Sequence, residues 1–165
     1  VTRIVVCDTG PLLHLSEAGC IHLLEAAGDI LIPREVANEF ERNSQNLVLP
    51  NWIKVTPLED NAARQARRLV NDEIDLGEAE AIVLVQHIQA DWLLTDDGRA
   101  RRFAESQGLE VHGSIGVLLW AAANHHIPTC NEAHQLLKSL SESSLWISEN
   151  ILQKAHQTID FLMDK

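Results

Sequence analysis

Four short apolar runs, each ending in a polar turn that leads into a helical segment, constrain this chain more than any other feature. RIVVC (Arg3–Cys7) stops on Asp8-Thr9-Gly10, and DILI (Asp29–Ile32) stops on Pro33. DWLLT (Asp91–Thr95) stops on Asp96-Asp97, and LEVHG (Leu109–Gly113) stops on Ser114. Between them lie segments with helical spacing: Pro11–Ser16 and Cys20–Ala27, parted by Gly19, then Pro33–Arg42 and the polar Leu58–Asn71. Leu76–Gln89, apolar over most of its surface, Gly98–Gln107 and Ser114–Asn124 complete the series. Asn51–Val55, between Pro50 and Pro57, reads as an extended edge piece. Two amphipathic helices follow from Asn131. Strands alternating with helices predict an α/β fold, a mostly parallel sheet flanked by helices. With 165 residues, 45% of them apolar, the chain is expected to form one domain over 1–165, with 131–165 a helical extension packed on it.

In parallel sheets, sites lie at the carboxyl ends of strands. Asp8, Thr95-Asp96-Asp97 and Gly113-Ser114 all fall there. Each acidic residue has a structural duty available to it. Asp8 can bond the backbone of its own turn. Asp75 and Glu78 have the spacing of a capping box, and one of Thr95, Asp96 and Asp97 can cap the next helix. Glu39, three residues after Val36, borders the core face of its helix, with Glu35 and Glu41 as competitors. Glu80 points away from Glu78. These duties leave carboxylates over. Several at one sheet edge repel each other and raise their own pKa values, which a fold tolerates where a cation is bound. Oxygen ligands without Cys or His select Mg²⁺ or Mn²⁺, ions that support phosphodiester chemistry. The Asp8-Thr9-Gly10 triplet also matches the aspartic-protease signature, but that fold is all-β. A receiver-like phosphoacceptor would need a lysine after the last strand, where Gly113-Ser114 stand.

The formal net charge of −11 argues against broad polyanion binding. Phosphate contacts would need a local basic patch, a bridging cation, or both. Arg99, Arg101 and Arg102 lie beside the Asp pair and serve best. Arg64, Arg67 and Arg68 share a helix face but read as a surface ladder with Asp60 and Asp72. Trp52, Trp92, Trp120 and Trp146 could stack bases, though single tryptophans serve cores and interfaces more often. Leu136, Leu137, Leu140, Leu145 and Trp146 are expected in a core or a dimer seam. Three widely spaced cysteines without a C-x-x-C pair suggest neither a zinc knuckle nor a disulfide frame. Of eight histidines only His125 and His126 adjoin, so no histidine-built metal site is expected. No apolar run approaches membrane length and no signal pattern opens the chain, so a cytoplasmic protein is expected.

VVCDTGPLLHLSEAG, IPREVANEF, LGEAEAIVLV and DWLLTDDGRARRFAESQGLEVHGSIGVLL, in that order, resemble the PIN domain, the fold of VapC-type toxin ribonucleases. More narrowly, they resemble a prokaryotic PIN-like branch of unassigned function. The resemblance covers about the first three quarters of the chain. It implies a three-layer sandwich and a Mg²⁺- or Mn²⁺-dependent ribonuclease, a hydrolase acting as the toxin of a toxin–antitoxin pair. The implied ligands are Asp8, Glu78 and either Asp96 or Asp97, with Glu39 as an outer or shared ligand. The T-x-D pattern favours Asp97, the narrower branch's pattern Asp96; strand alternation, which puts Thr95 and Asp97 on one side, tips the choice to Asp97. Thr9 and Ser114 would support them, Ser114 alternatively capping its helix. Arg101 matches a family position. RNA, an antitoxin and a second copy of the chain are the implied partners. The alternative is a catalytically weak module that acts by binding a protein partner.

Overall fold

The computed structural model describes residues 1–164. In chain order the elements are β1 (Ile4–Cys7), α1 (Thr9–Glu17), α2 (His22–Ala27), β2 (Asp29–Ile32), α3 (Arg34–Asn43), β3 (Lys54–Val55) and α4 (Asp60–Leu69). There follow α5 (Leu76–Ile88), β4 (Trp92–Leu94), α6 (Gly98–Ser106), β5 (Val111–His112), α7 (Ser114–Ala123), α8 (Cys130–Ser141) and α9 (Glu149–Met163). The five strands form one sheet in the order β3-β2-β1-β4-β5, every pairing parallel. The expected α/β class therefore holds, as a PIN-like three-layer sandwich. Of Asn51–Val55, only Lys54 and Val55 pair, at the sheet edge.

Period-two alternation divides the core. Val5, Cys7, Ile30, Ile32, Trp92 and Leu94 face one side, with side chains from α1, α2, α7, α8 and α9. Val6, Leu93 and Val111 face the other, against α5 and α6. The nearly all-apolar α5 is covered twice. Ala81, Ile82, Leu84 and Val85 meet the sheet side, and Ala79 and Val83 meet α4. Gly19 (φ +72°) and Gly108 (φ +80°) turn the chain just after α1 and α6, in the left-handed region where a side chain would be strained.

The chain leaves β1 for β2 on one side and later returns to add β4 on the other. The carboxyl end of β1 is therefore the topological switch point, where a parallel sheet opens a crevice. Backbone bonds carry the strands' alignment past their ends: Asp8 N–H donates to Leu94 C=O at 2.9 Å, and Thr95 N–H to His112 C=O at 3.0 Å. Asp8, Thr95-Asp96-Asp97 and Gly113-Ser114 thus share one edge. Among the described residues, no helix is long and apolar enough to cross a membrane.

Candidate active site

Asp8 sits at the switch point with 6% of its surface exposed. It caps α1, its Oδ1 accepting from Thr9 N–H at 2.8 Å. Its Oδ2 accepts from the buried Thr95 hydroxyl at 3.1 Å. These bonds do not offset its loss of water. Burial, aided by the charges of Glu78 and Asp75, pushes its pKa up to about 8. The Thr95 hydroxyl also accepts from Asp97 N–H at 3.2 Å, tying Asp8 to the Asp pair.

Glu39 reaches across from α3, its Oε2 accepting from the Thr9 hydroxyl at 2.5 Å. Its carboxyl lies against bare Gly77, where a Cβ would stand 2.6 Å from Oε1. Partial burial raises its pKa, the Thr9 bond opposing. Glu78 and Asp75 do form the expected capping box: Glu78 N–H donates to Asp75 Oδ1 at 2.8 Å, and Asp75 N–H to Glu78 Oε2 at 2.9 Å. The box occupies one oxygen of each and leaves the other. Burial, then the charges of Asp75, Asp97 and Glu39, push Glu78 up to about 7.

Asp97 caps α6, its Oδ1 accepting from Arg99 and Ala100 N–H, both at 2.9 Å. Asp96 is held on both oxygens. Ser114 N–H donates to Oδ1 at 2.7 Å, Ser114 Oγ to Oδ2 at 2.5 Å, and His14 Nδ1 lies 2.7 Å from Oδ2. Ser114 is therefore a clamp on Asp96, while Gly113 occupies the cap position of α7. Strand alternation does not choose between Asp96 and Asp97, because β4 ends at Leu94 and both residues line the same cleft.

That cleft, about 270 Å³ and open to solvent, is lined by Asp8, Glu39, Asp75, Glu78, Asp96 and Asp97, with His14 and the loop residues Ser144, Leu145 and Trp146. Among the described residues no lysine or arginine lines it. Among the described residues no three of its carboxylates bring oxygens within 4.8 Å of one another. The oxygen donors fit Mg²⁺ or Mn²⁺ chemically.

Other expectations sort differently. Glu35 pairs with Arg42 at 2.9 Å, and Glu80 accepts from Glu35 N–H at 3.1 Å; neither lines the cleft. Arg101 is engaged by Glu105 (3.2 Å) and by Val111 C=O (3.1 Å), and lines a neighbouring apolar groove instead. Arg99 and Arg102 are exposed at the start of α6, with no ion pair among the described residues. The Asp60–Arg64 and Arg68–Asp72 ladder is not formed among the described residues; Arg64 donates to Asn61 Oδ1 at 2.6 Å instead. Leu137 and Leu140 are core, as expected, but Trp146 is 83% exposed beside the cleft. Sequence reasoning passed over His14, whose one signal was a place one helical turn from Gly10, and took Asp75 for a cap alone. None of the curated proteins matches the chain. The PIN domain family model matches residues 4–160, so the chain belongs to the PIN domain family, whose members are generally divalent-metal nucleases.

Proposed function

We propose that this chain is a metal-dependent endoribonuclease that hydrolyses RNA phosphodiester bonds, as the cytoplasmic toxin of a toxin–antitoxin pair. The observation that carries the reading is uncompensated charge: six carboxylates line one cleft that, among the described residues, no lysine or arginine lines. Asp8 and Glu78 both titrate near neutral pH, and a divalent cation is the partner that would ionise them. Asp8, Glu78, Asp97 and Asp96 would hold Mg²⁺ or Mn²⁺, with Glu39 as an outer ligand. Bound there, the ion supplies water activation and stabilises charge on the scissile phosphate.

The chain's own residues do the positioning. Thr95 fixes Asp8 against Asp97, Thr9 fixes Glu39, and Ser114 with His14 fixes Asp96. Arg99 and Arg102 offer phosphate contacts at the rim, and Arg101 joins them only by leaving Glu105. Trp146 offers a face for a base to stack on.

The deciding experiment is Mn²⁺ calorimetry on wild type and Asp8→Asn, with RNA cleavage followed in the same samples. Loss of binding and cleavage together in the variant supports the nuclease. A wild type that binds no Mn²⁺ at the cleft overturns it. The second reading, a catalytically weak module that binds a protein partner, draws on exposed apolar surface beside the cleft, where Leu145, Trp146 and Ile151 line a groove. An antitoxin or a second copy of the chain would cover that surface. Mn²⁺ binding without cleavage favours this reading.

A further inference from the structure

Away from the cleft, α8 and α9 bring together a second set of metal-ligating side chains, with different chemistry. Cys130 meets Asp160 and His134 meets His156, so the two helices run antiparallel. Cys130 and His134 are one turn apart on α8, as are His156 and Asp160 on α9, and pairs four apart share a helix face. Cys130 Sγ lies 3.7 Å from Asp160 Oδ1, and His134 Nε2 lies 2.7 Å from the same oxygen. Ligand atoms from Cys130, His134 and Asp160 all fall within 4.8 Å of one another.

We infer that Cys130, His134 and Asp160 form a Zn²⁺ site that clasps α8 to α9. One thiolate and one carboxylate neutralise the ion, and the thiolate with an imidazole selects zinc over magnesium. A fourth position is open to water or to Asp164, which stands beside the same thiol.

The second imidazole is an independent observation that points to a ligand. His156 stacks on His134, with centroids 4.9 Å apart, and the two Nδ1 atoms are 2.7 Å apart. One of those nitrogens must carry the shared proton. With metal absent, His156 Nδ1–H donates to His134 Nδ1, and His134 Nε2–H donates to Asp160. With metal bound, His134 Nε2 presents its lone pair, and His134 Nδ1–H donates to His156 instead. Both rings change tautomer, neither changes its proton count, and only the thiol proton is released. A histidine ligand whose other nitrogen is held by a partner is the arrangement built metal sites use.

The clasp closes the open end of a hairpin whose other end matters to the cleft. Residues 142–148 join α8 to α9, and Ser144, Leu145 and Trp146 of that loop line the acidic cleft. Ser144 is anchored to Glu17 on α1 through its hydroxyl at 2.5 Å. Zinc at one end and Glu17 at the other would hold the hairpin across the body of the fold.

The test uses the full chain, stripped with EDTA, then titrated with Co²⁺ as the visible stand-in for zinc. The expected result is a thiolate-to-cobalt charge-transfer band saturating at one equivalent and bleached by added Zn²⁺. The band persists in Asp8→Asn, which separates this site from the carboxylate cleft. It is lost in Cys130→Ser, while His134→Gln and Asp160→Asn each weaken Zn²⁺ binding by tenfold or more. His156→Phe, a change at the positioning residue, weakens it about tenfold and keeps the band. Zn²⁺ raises the melting temperature of wild type and Asp8→Asn, but not of Cys130→Ser. These side chains are partly or fully exposed, so the metal-free variants should melt with the wild type, which confirms that they fold. A wild type with no thiolate band at one equivalent of Co²⁺ overturns the site. So does a band unchanged in both His134→Gln and Asp160→Asn, which would mean adventitious binding to the thiol alone.

Discussion

Asp8 shows at single-residue scale what the fold gives up to gather its carboxylates. Its pKa is about 8 folded, against 3.8 for the ordinary side chain, so between those values the folded protein holds a proton that the unfolded chain releases. Its contribution to stability is full below the lower value, falls as pH rises, and levels off above the higher one. The melting temperature of metal-free protein should therefore drop between about pH 5 and pH 8. Asp8→Asn should remove most of that drop, raising the melting temperature at the alkaline end, while abolishing Mn²⁺ binding. Thermal melts in EDTA across this range check it, and a wild-type curve that climbs with pH contradicts the burial argument. Added Mn²⁺ should restore wild-type stability at pH 8 by mass action. Asp96 makes a different case. Ser114→Ala removes one of its clamps at a cost of about 1 kcal/mol, and cleavage should fall about tenfold while far-UV dichroism stays unchanged. Asp8 was legible in the sequence because it ends an apolar run. The Asp96 clamp was not, because His14 and Ser114 reach it from 82 and 18 residues away.

At the scale of elements, α5 serves both structure and chemistry through its first turn. The capping box there is a sufficient reason for Asp75 and Glu78, and the sequence showed it plainly. What the sequence did not show is that the same turn is pressed against α3, with Gly77 leaving room for the Glu39 carboxyl. Gly77→Ala separates the two roles. Alanine favours a helix over glycine by about 0.8–1 kcal/mol, so the isolated helix gains. The new Cβ would sit 2.6 Å from Glu39 Oε1, and that flexible side chain must swing off Thr9. The expected outcome is an unchanged or slightly raised melting temperature with RNA cleavage down by an order of magnitude. Equal losses in stability and activity would show that α5 itself had moved. Most elements could be read from the sequence because hydrophobic period and turn residues are local signals: α1 begins at Thr9, two residues earlier than Pro11 suggests, because Asp8 caps it. The placement of the 142–148 loop against the cleft was not readable, since Trp146 in an apolar stretch resembles a core residue until the packing of α8 and α9 turns it outward.

For the whole molecule, the net charge of −11 and an RNA substrate pull in opposite directions, and the arrangement of arginines sets how far. Arg101 is engaged by Glu105 and Val111, so the proposed phosphate contacts reduce to Arg99 and Arg102, exposed at the start of α6. Each phosphate neutralised on a single strand contributes about −0.7 to the slope of log affinity against log salt concentration. Two contacts predict a slope of about −1.4 for single-stranded RNA, shallow beside that of a basic RNA-binding domain. Fluorescence anisotropy in EDTA, where no hydrolysis intervenes, measures it directly. Arg102→Ala should bring the slope to about −0.7 and weaken binding uniformly across RNA sequences. Trp146→Ala should weaken binding without changing the slope, because stacking releases no counterions. A steep wild-type slope that survives Arg102→Ala would place the RNA on a basic surface away from this cleft, and the six carboxylates would then have to be explained without it.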